Sequence, residues 1–196
     1  MENNPFNIQL PPDKKENSNE KTKVEVRLAL PEEWKELRDF RLDLLNEESD
    51  NSYVATPRQI REIKKRTDEQ WKDILFGKDR FSVAARNSKV VGMGRAEKKE
   101  GIWYLYNLGV KKELKRKGIG SSVTAVRLKE IEIRGGKEVH IFINKKNEPS
   151  LKNAESFGFK RDNTLLGRLK GLMIIDDIDN PITAKRIKEV LERKIE

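Results

Sequence analysis

Two spacings of apolar residues run along this chain. Val24-Glu25-Val26-Arg27-Leu28 alternates apolar with polar and predicts a first strand. From Pro31, the residues Trp34, Leu37, Phe40, Leu44 and Leu45 recur at helical spacing, and the polar stretch through Asn51-Ser52 ends that helix. A second helical region covers about 57–76. Ile60 and Ile63 begin it, and the capping box Thr67-Asp68-Glu69-Gln70 restarts it before Trp71, Ile74 and Leu75. Phe81–Ala85, a turn at Asn87-Ser88, Val90–Gly94 and then Ile102–Val110 read as a three-stranded meander. Ile119, Val123, Val126, Leu128 and Ile131 form the next helical stripe, stopped by Gly135-Gly136. Val139–Asn144 is an apolar strand, and short strands follow from Phe159 and at Leu172–Ile175. Pro181 opens a last helix with Ile182, Ile187, Val190 and Leu191 on one stripe. That helix either packs on the domain or serves a homodimer, and the sequence leaves both open.

The strand ending at Val110, the helix from Ile119 and the strand from Val139 make a βαβ crossover, so those two strands pair in parallel. With a helix between Asn147 and Gly158, the order is β-α-α-β-β-β-α-β-α-β-β. This is an α/β sandwich around a mixed sheet. A chain of 196 residues is expected to hold one domain, over 23–180, followed by the helical segment 181–196. Residues 1–22, rich in Asn, Pro, Lys and Glu, read as a disordered tail.

Composition narrows the function. Charged residues make up 38% of the chain, no apolar run is long enough to span a membrane, and the N-terminus has no signal-peptide hydrophobic region; a cytoplasmic protein is expected. Cysteine is absent, which excludes disulfides and thiol nucleophiles. The single histidine, His140, lies in an apolar strand and reads as a sheet residue with a structural hydrogen bond, so no metal site is expected. Asp176, Asp177 and Asp179 lack the spacing of a calcium loop. The net charge of +9 favours anionic partners, but no RNP-like, KH or zinc-finger signature accompanies it.

The most informative segment is Lys111 to Ser122. An apolar strand runs into a basic loop, which closes on Gly118 and Gly120 and opens a helix. A helix N-terminus presents unpaired N–H groups, and glycines let an anion approach them, so this is a phosphate seat. A Walker A loop needs Lys-Ser or Lys-Thr after its last glycine, whereas Gly120 is followed by Ser121-Ser122. A dinucleotide loop needs a third glycine straight off the strand. Here Val123 takes that place, and seven residues separate Val110 from Gly118.

The segment resembles the acyl-CoA-binding core of the GNAT superfamily of N-acetyltransferases. The family's Gln/Arg-x-x-Gly-x-Gly/Ala loop corresponds to Lys115-Arg116-Lys117-Gly118-Ile119-Gly120, with lysine in the first place. Asn147 follows the next strand, and Gly158-Phe159 ends the next helix eleven residues later, in the family's register. The likeness covers about residues 24–175 and is strongest over 102–159.

It implies a mostly antiparallel central sheet flanked by helices, with a V-shaped splay between two parallel central strands. It implies acetyl-CoA as co-substrate, with the pantetheine arm on backbone groups of Leu108, Gly109 and Val110. The diphosphate would sit on Lys115, Arg116, Lys117, Gly118, Ile119, Gly120 and Ser121. Asn147 would reach the pantetheine, or be a plain turn or helix cap ahead of Pro149.

The implied reaction is direct attack of an amine on the thioester. Family members often place a tyrosine acid seven residues after the asparagine; here that residue is Ala154. Tyr104 aligns with a glutamate base that some members carry. Tyr104 and Tyr106 share a strand face and are the candidate proton carriers, or they pack in the sheet. Glu97 and Glu100 are further candidates for proton transfer, or solvated hairpin charges. Trp71 reads as a core anchor or as a wall of the acceptor groove.

Three functions follow. One is an N-acyltransferase acting on a small-molecule or peptide amine. The second is a non-catalytic acyl-CoA-binding module. The third, ranked last, is a basic nucleic-acid-binding protein.

Overall fold

A computed structural model describes residues 24–47 and 57–193; the expected tail over 1–22 lies outside these residues. Seven strands form one sheet in the order β1-β2-β3-β4-β5-β7-β6. They are β1 (Glu25–Leu28), β2 (Arg80–Asn87), β3 (Lys89–Lys99), β4 (Ile102–Val110), β5 (Val139–Phe142), β6 (Lys160–Arg161) and β7 (Leu172–Ile175). Neighbours run antiparallel except β4 and β5, which are parallel and joined through α4 (Ile119–Ile133). The mixed, mostly antiparallel sheet expected from the sequence is therefore the fold.

Helices cover both faces. On one face, α4, α5 (Glu148–Ser156) and α7 (Pro181–Leu191) bury Val123, Ile131, Phe157 and Val190 against Val83, Trp103 and Leu105 of the sheet. On the other, α1 (Trp34–Glu47) and α3 (Asp68–Phe76) bury Leu37, Phe40, Trp71 and Leu75 against Ala84, Val90 and Met93. Strand residues alternate between the two clusters, as a pleated sheet requires.

The close approach of α4 to β3 has a sequence cause. Ile119, Val123 and Arg127 form one four-residue ridge, and beneath it lie Gly92 and Gly94. A Cβ on Gly92 would stand 3.1 Å from Ile119 Cγ2. One on Gly94 would stand 2.7 Å from Val123 Cγ1 and 2.9 Å from Arg127 Cζ. Any side chain at position 94 would push the helix off the strand.

The last helix joins this core. Ile187 and Val190 are buried, and the Thr183 hydroxyl donates to the Phe157 carbonyl at 2.8 Å. Ile182, read as part of the stripe, faces outward.

As the capping box predicts, the region 57–76 restarts and is two helices, α2 (Pro57–Lys64) and α3, the second capped by Thr67. Its hydroxyl accepts from Gln70 N at 3.3 Å, and Gln70 Oε1 accepts from Thr67 N at 2.9 Å. β5 stops at Phe142, short of Asn144, where Ile143 N turns to the Gly171 carbonyl at 2.9 Å. A short helix, α6 (Leu165–Lys170), was not expected; Thr164 caps it. Among the described residues no helix is long and apolar enough to cross a membrane.

Candidate active site

The site begins with an irregularity in β4. Met93 pairs with Gly109 and Arg95 with Tyr106, so Asn107 and Leu108 together oppose the single Gly94. This is a β-bulge, and Asn107 carries it at φ 54°, a region asparagine tolerates better than most residues. The parallel pairing with β5 is confined to Trp103–Val139, Tyr104–His140 and Leu105–Ile141. Beyond Leu105 the two strands part, and a cavity of about 650 Å³ opens between them. Tyr106, Asn107 and Leu108 line it from β4; Ile141 and Phe142 line it from β5.

The chain then leaves β4 through a turn of 3-10 helix (Lys112–Leu114). Arg116 at φ 70° and Gly118 at φ 83° bring it back to start α4. Gly118 occupies the N-cap position and offers no capping side chain, so the first-turn N–H groups of Ile119, Gly120 and Ser121 receive no cap from it. The turn is solvent-facing at Lys115, Arg116 and Gly118. Gly120 is not required by the protein's own packing. A Cβ there would find nothing nearer than Val110 Cγ2 at 4.0 Å. Open space above a helix N-terminus ringed by Lys115, Arg116 and Lys117 fits a diphosphate.

A polar network joins this helix start to α5. Ser121 Oγ donates to Asn153 Oδ1 at 2.6 Å, Asn153 Nδ2 to Thr124 Oγ1 at 3.2 Å, and Thr124 Oγ1 to the Gly120 carbonyl at 2.9 Å. Arg127 ends the chain of bonds. Its guanidinium donates to Thr124 Oγ1 at 3.2 Å, to the Tyr106 carbonyl at 3.3 Å and to the Arg95 carbonyl at 3.4 Å. Arg127 is fully buried, and burial pulls its pKa down to about 9. Through Tyr106 it ties α4 to the residue just before the bulge.

Of the residues singled out in the sequence, Tyr106, Leu108 and Asn147 line the cavity. Asn147 also caps α5, its Oδ1 accepting from Ser150 N at 3.2 Å. Gly109 and Val110 carry the strand out toward the turn, where Lys115, Arg116, Lys117, Gly118, Gly120 and Ser121 stand; Ile119 points into the core. Tyr104 does not line the cavity. It stacks on Tyr106 at 6.2 Å and on Phe142 at 6.5 Å, and meets His140 edge-on at 5.2 Å. Burial, with Tyr106, Glu100 and Glu138 adding, raises its phenol pKa, which favours the protonated form. Tyr106 lies under Arg95 Cζ at 4.7 Å and Lys99 Nζ at 5.5 Å. His140 is buried and partnered by Glu138 at 2.5 Å, the structural bond its strand setting suggests. Trp71 is a buried anchor that also touches a second, smaller cavity.

One expectation fails outright. Glu97 is not a solvated hairpin charge. It is 5% exposed and bound to Arg80 at 2.8 Å, Arg95 at 3.3 Å and Lys99 at 3.3 Å. The reason is pleat: Met93, Arg95 and Glu97 share the face that α3 covers. Burial pushes this carboxyl up, but the Arg80 hydrogen bond and the charges of Arg95 and Lys99 outweigh it and hold its pKa below the usual range. Sequence reasoning also missed Arg127, Thr124 and Asn153. The available signal was Arg127 standing four residues from both Val123 and Ile131, on the apolar stripe of the helix.

These features have counterparts among known proteins. A family model described as acetyltransferase (GNAT) family matches residues 37–159. No curated protein matches the chain in sequence. Among solved structures, the PaiA N-acetyltransferase of Thermoplasma acidophilum in complex with coenzyme A superposes with a TM-score of 0.61 at 18% identity, over 78% of this chain and 98% of that one. A GNAT-family acetyltransferase from Streptococcus pneumoniae gives 0.58 at 18% identity, over 71% and 85% of the two chains. The ribosomal-protein-S18-alanine N-acetyltransferase of Escherichia coli gives 0.56 at 12% identity, over 81% and 97%. At these identities the structural likeness is one of fold. The family model spans more than half of the chain, and on that ground the chain belongs to the GNAT family of acetyltransferases.

Proposed function

We propose that this protein transfers an acetyl group from acetyl-CoA to an amine by direct attack in a ternary complex. The observation that carries the reading is the joint placement of the β4–β5 cavity and the exposed turn ahead of α4. The cavity suits an extended, amide-bearing arm, whose groups would bond the strand edge left unpaired beyond Leu105. The turn suits its diphosphate, through the N–H groups of Gly120 and Ser121 and the charges of Lys115, Arg116 and Lys117.

In the reaction an N–C bond forms, the C–S bond breaks, the amine loses a proton and the thiolate gains one. The chain must orient both partners and hold the developing oxyanion on a backbone N–H near Leu108. Among the described residues, Tyr106 is the tyrosine that lines the cavity. Its hydroxyl is the candidate to hand a proton to the leaving sulfur or relay one through water, with Tyr104 packed behind it.

One observation favours a second reading, a binding module without turnover. Ala154 lines the cavity where the resemblance implies a tyrosine acid. Two measurements decide. Calorimetry with acetyl-CoA on the wild type and on Gly120→Glu should show binding lost in the variant, whose side chain fills the phosphate seat; equal affinities overturn the acyl-CoA reading. Binding without thiol release across a broad amine panel overturns catalysis and leaves the module.

A further inference from the structure

A second cavity, of about 280 Å³, lies between β3, β4 and α3 on the sheet face opposite α4. It shares Arg41, Ile63, Arg66 and Asn107 with the larger cavity, so the two meet beside the bulge. Its charge is lopsided. Among the described residues, Arg41, Arg66, Arg80, Arg95 and Lys99 line it against one carboxylate, Glu97.

That carboxylate is already engaged by Arg80, Arg95 and Lys99. Arg80 is further satisfied by Asp73. Arg95 is 9% exposed; its Nη1 donates to the Ile74 carbonyl at 2.9 Å, while its buried Nε has no hydrogen-bond partner among the described residues. Arg41 is 4% exposed. Arg66 sits over the Trp71 ring at 5.6 Å, and its pKa is lowered by burial and by the charge of Arg41. Cations crowded around one carboxylate that three of them already share are stabilised by an anion placed among them.

We propose that this cavity receives the anionic group of the acceptor, so that the acceptor is a small amine that also carries a carboxylate or a phosphate. The inference rests on the acyltransferase reading. An anion held by Arg66 and Arg95 leaves the amine at the shared mouth by Asn107, next to Leu108 and the thioester end of the larger cavity. Arginine suits the task because its planar fork matches both oxyanions. A polycationic amine would meet like charge on entering.

The test uses the full chain and matched amines that differ in charge: β-alanine against β-alaninamide, 4-aminobutyrate against its amide, and O-phosphoethanolamine against ethanolamine. Thiol release from acetyl-CoA is followed. The expected result is a kcat/KM at least roughly tenfold higher for the anionic member of a pair, the carboxylate and phosphate arms telling the two anions apart. In Arg66→Gln that preference, read as a ratio within each pair, should shrink to threefold or less.

A second readout needs no turnover and no variant. Glutarate should bind the CoA-loaded wild type, and 1,5-diaminopentane should not. Equal or reversed preference within the pairs overturns the proposal. So does a preference that survives Arg66→Gln, or acetyl-CoA binding with no turnover of any pair and no glutarate binding. Failure to bind acetyl-CoA at all overturns the acyltransferase reading instead.

Discussion

Replacing Arg127 by methionine should make the protein more stable and less active. Among the described residues no carboxylate pairs with this side chain. Its partners are the Thr124 hydroxyl and the carbonyls of Val123, Arg95 and Tyr106, all at 3.2 Å or more. The lowering of its pKa to about 9 sets the order of magnitude of the cost of burying the charge. At 1.36 kcal/mol per decade this is about 5 kcal/mol. Four long hydrogen bonds return about 2–3 kcal/mol. The net penalty removed in Arg127→Met is therefore about 2 kcal/mol, or roughly 4–8 °C in Tm for a domain of this size.

The sign with pH is opposite to that of a paired carboxylate. A base whose folded pKa is lowered carries its full penalty below that pKa. As pH rises above about 9, the folded chain sheds the proton while the unfolded chain keeps it, and the wild type gains stability. Urea unfolding at pH 7 should thus favour the variant, and by pH 10 its lead should have narrowed by about 1 kcal/mol. Thiol release from acetyl-CoA should fall, because the tie between α4 and the Tyr106 carbonyl is gone. A loss of more than about 1 kcal/mol at pH 7 would refute the reasoning and show that the carbonyl bonds outweigh burial.

Three further outcomes are expected. Tyr106→Phe should lower kcat roughly ten- to hundredfold with the KM for acetyl-CoA within about twofold; an unchanged kcat in steady-state assays rules Tyr106 out as a proton carrier. Gly118→Ala places a Cβ at φ 83° and should cost about 1–2 kcal/mol in urea unfolding, with weaker acetyl-CoA binding in calorimetry. Glu97→Gln should cost about 2 kcal/mol at neutral pH, because it leaves Arg80 and Arg95 without their shared anion. Since the folded pKa of Glu97 is lowered, its contribution is complete above the unfolded carboxylate value near about 4.3 and is lost as pH falls through the folded value. Acid titration of both proteins should show the gap closing below about pH 4, and a constant gap contradicts the assignment.

Much of the fold was legible because it follows from local rules. The stripe Ile119, Val123, Val126 and Ile131 predicts α4, and the crossover rule then predicts the single parallel pair. Gly118 and Gly158 mark backbone at φ 83° and 89° that only glycine enters cheaply. What escaped was set by partners distant in sequence. Glu97 carries no local mark of burial; α3, laid across β3, makes it an interior charge. The six residues of α6 are too few to show a period, and its Leu165 and Leu169 face outward.

The bulge at Asn107 explains both the success and the failure at the site itself. Strict alternation puts Tyr104 and Tyr106 on one face, and so they are found, stacked at 6.2 Å. Alternation cannot say where β4 leaves β5. The last paired residue is Leu105, so Tyr104 lies alongside closed sheet and Tyr106 beside open space. One residue of strand separation thus divides two tyrosines that the sequence treats as equivalent. The extra residue that bends β4 is matched by Gly94 on the facing strand and by Arg127 beneath it. A larger residue at position 94 would displace the Arg127 head group and with it the bond to Tyr106. The spacing Gly92-Met93-Gly94, read in the sequence as an ordinary hairpin return, is therefore as much a condition of the cavity as the glycine turn ahead of α4.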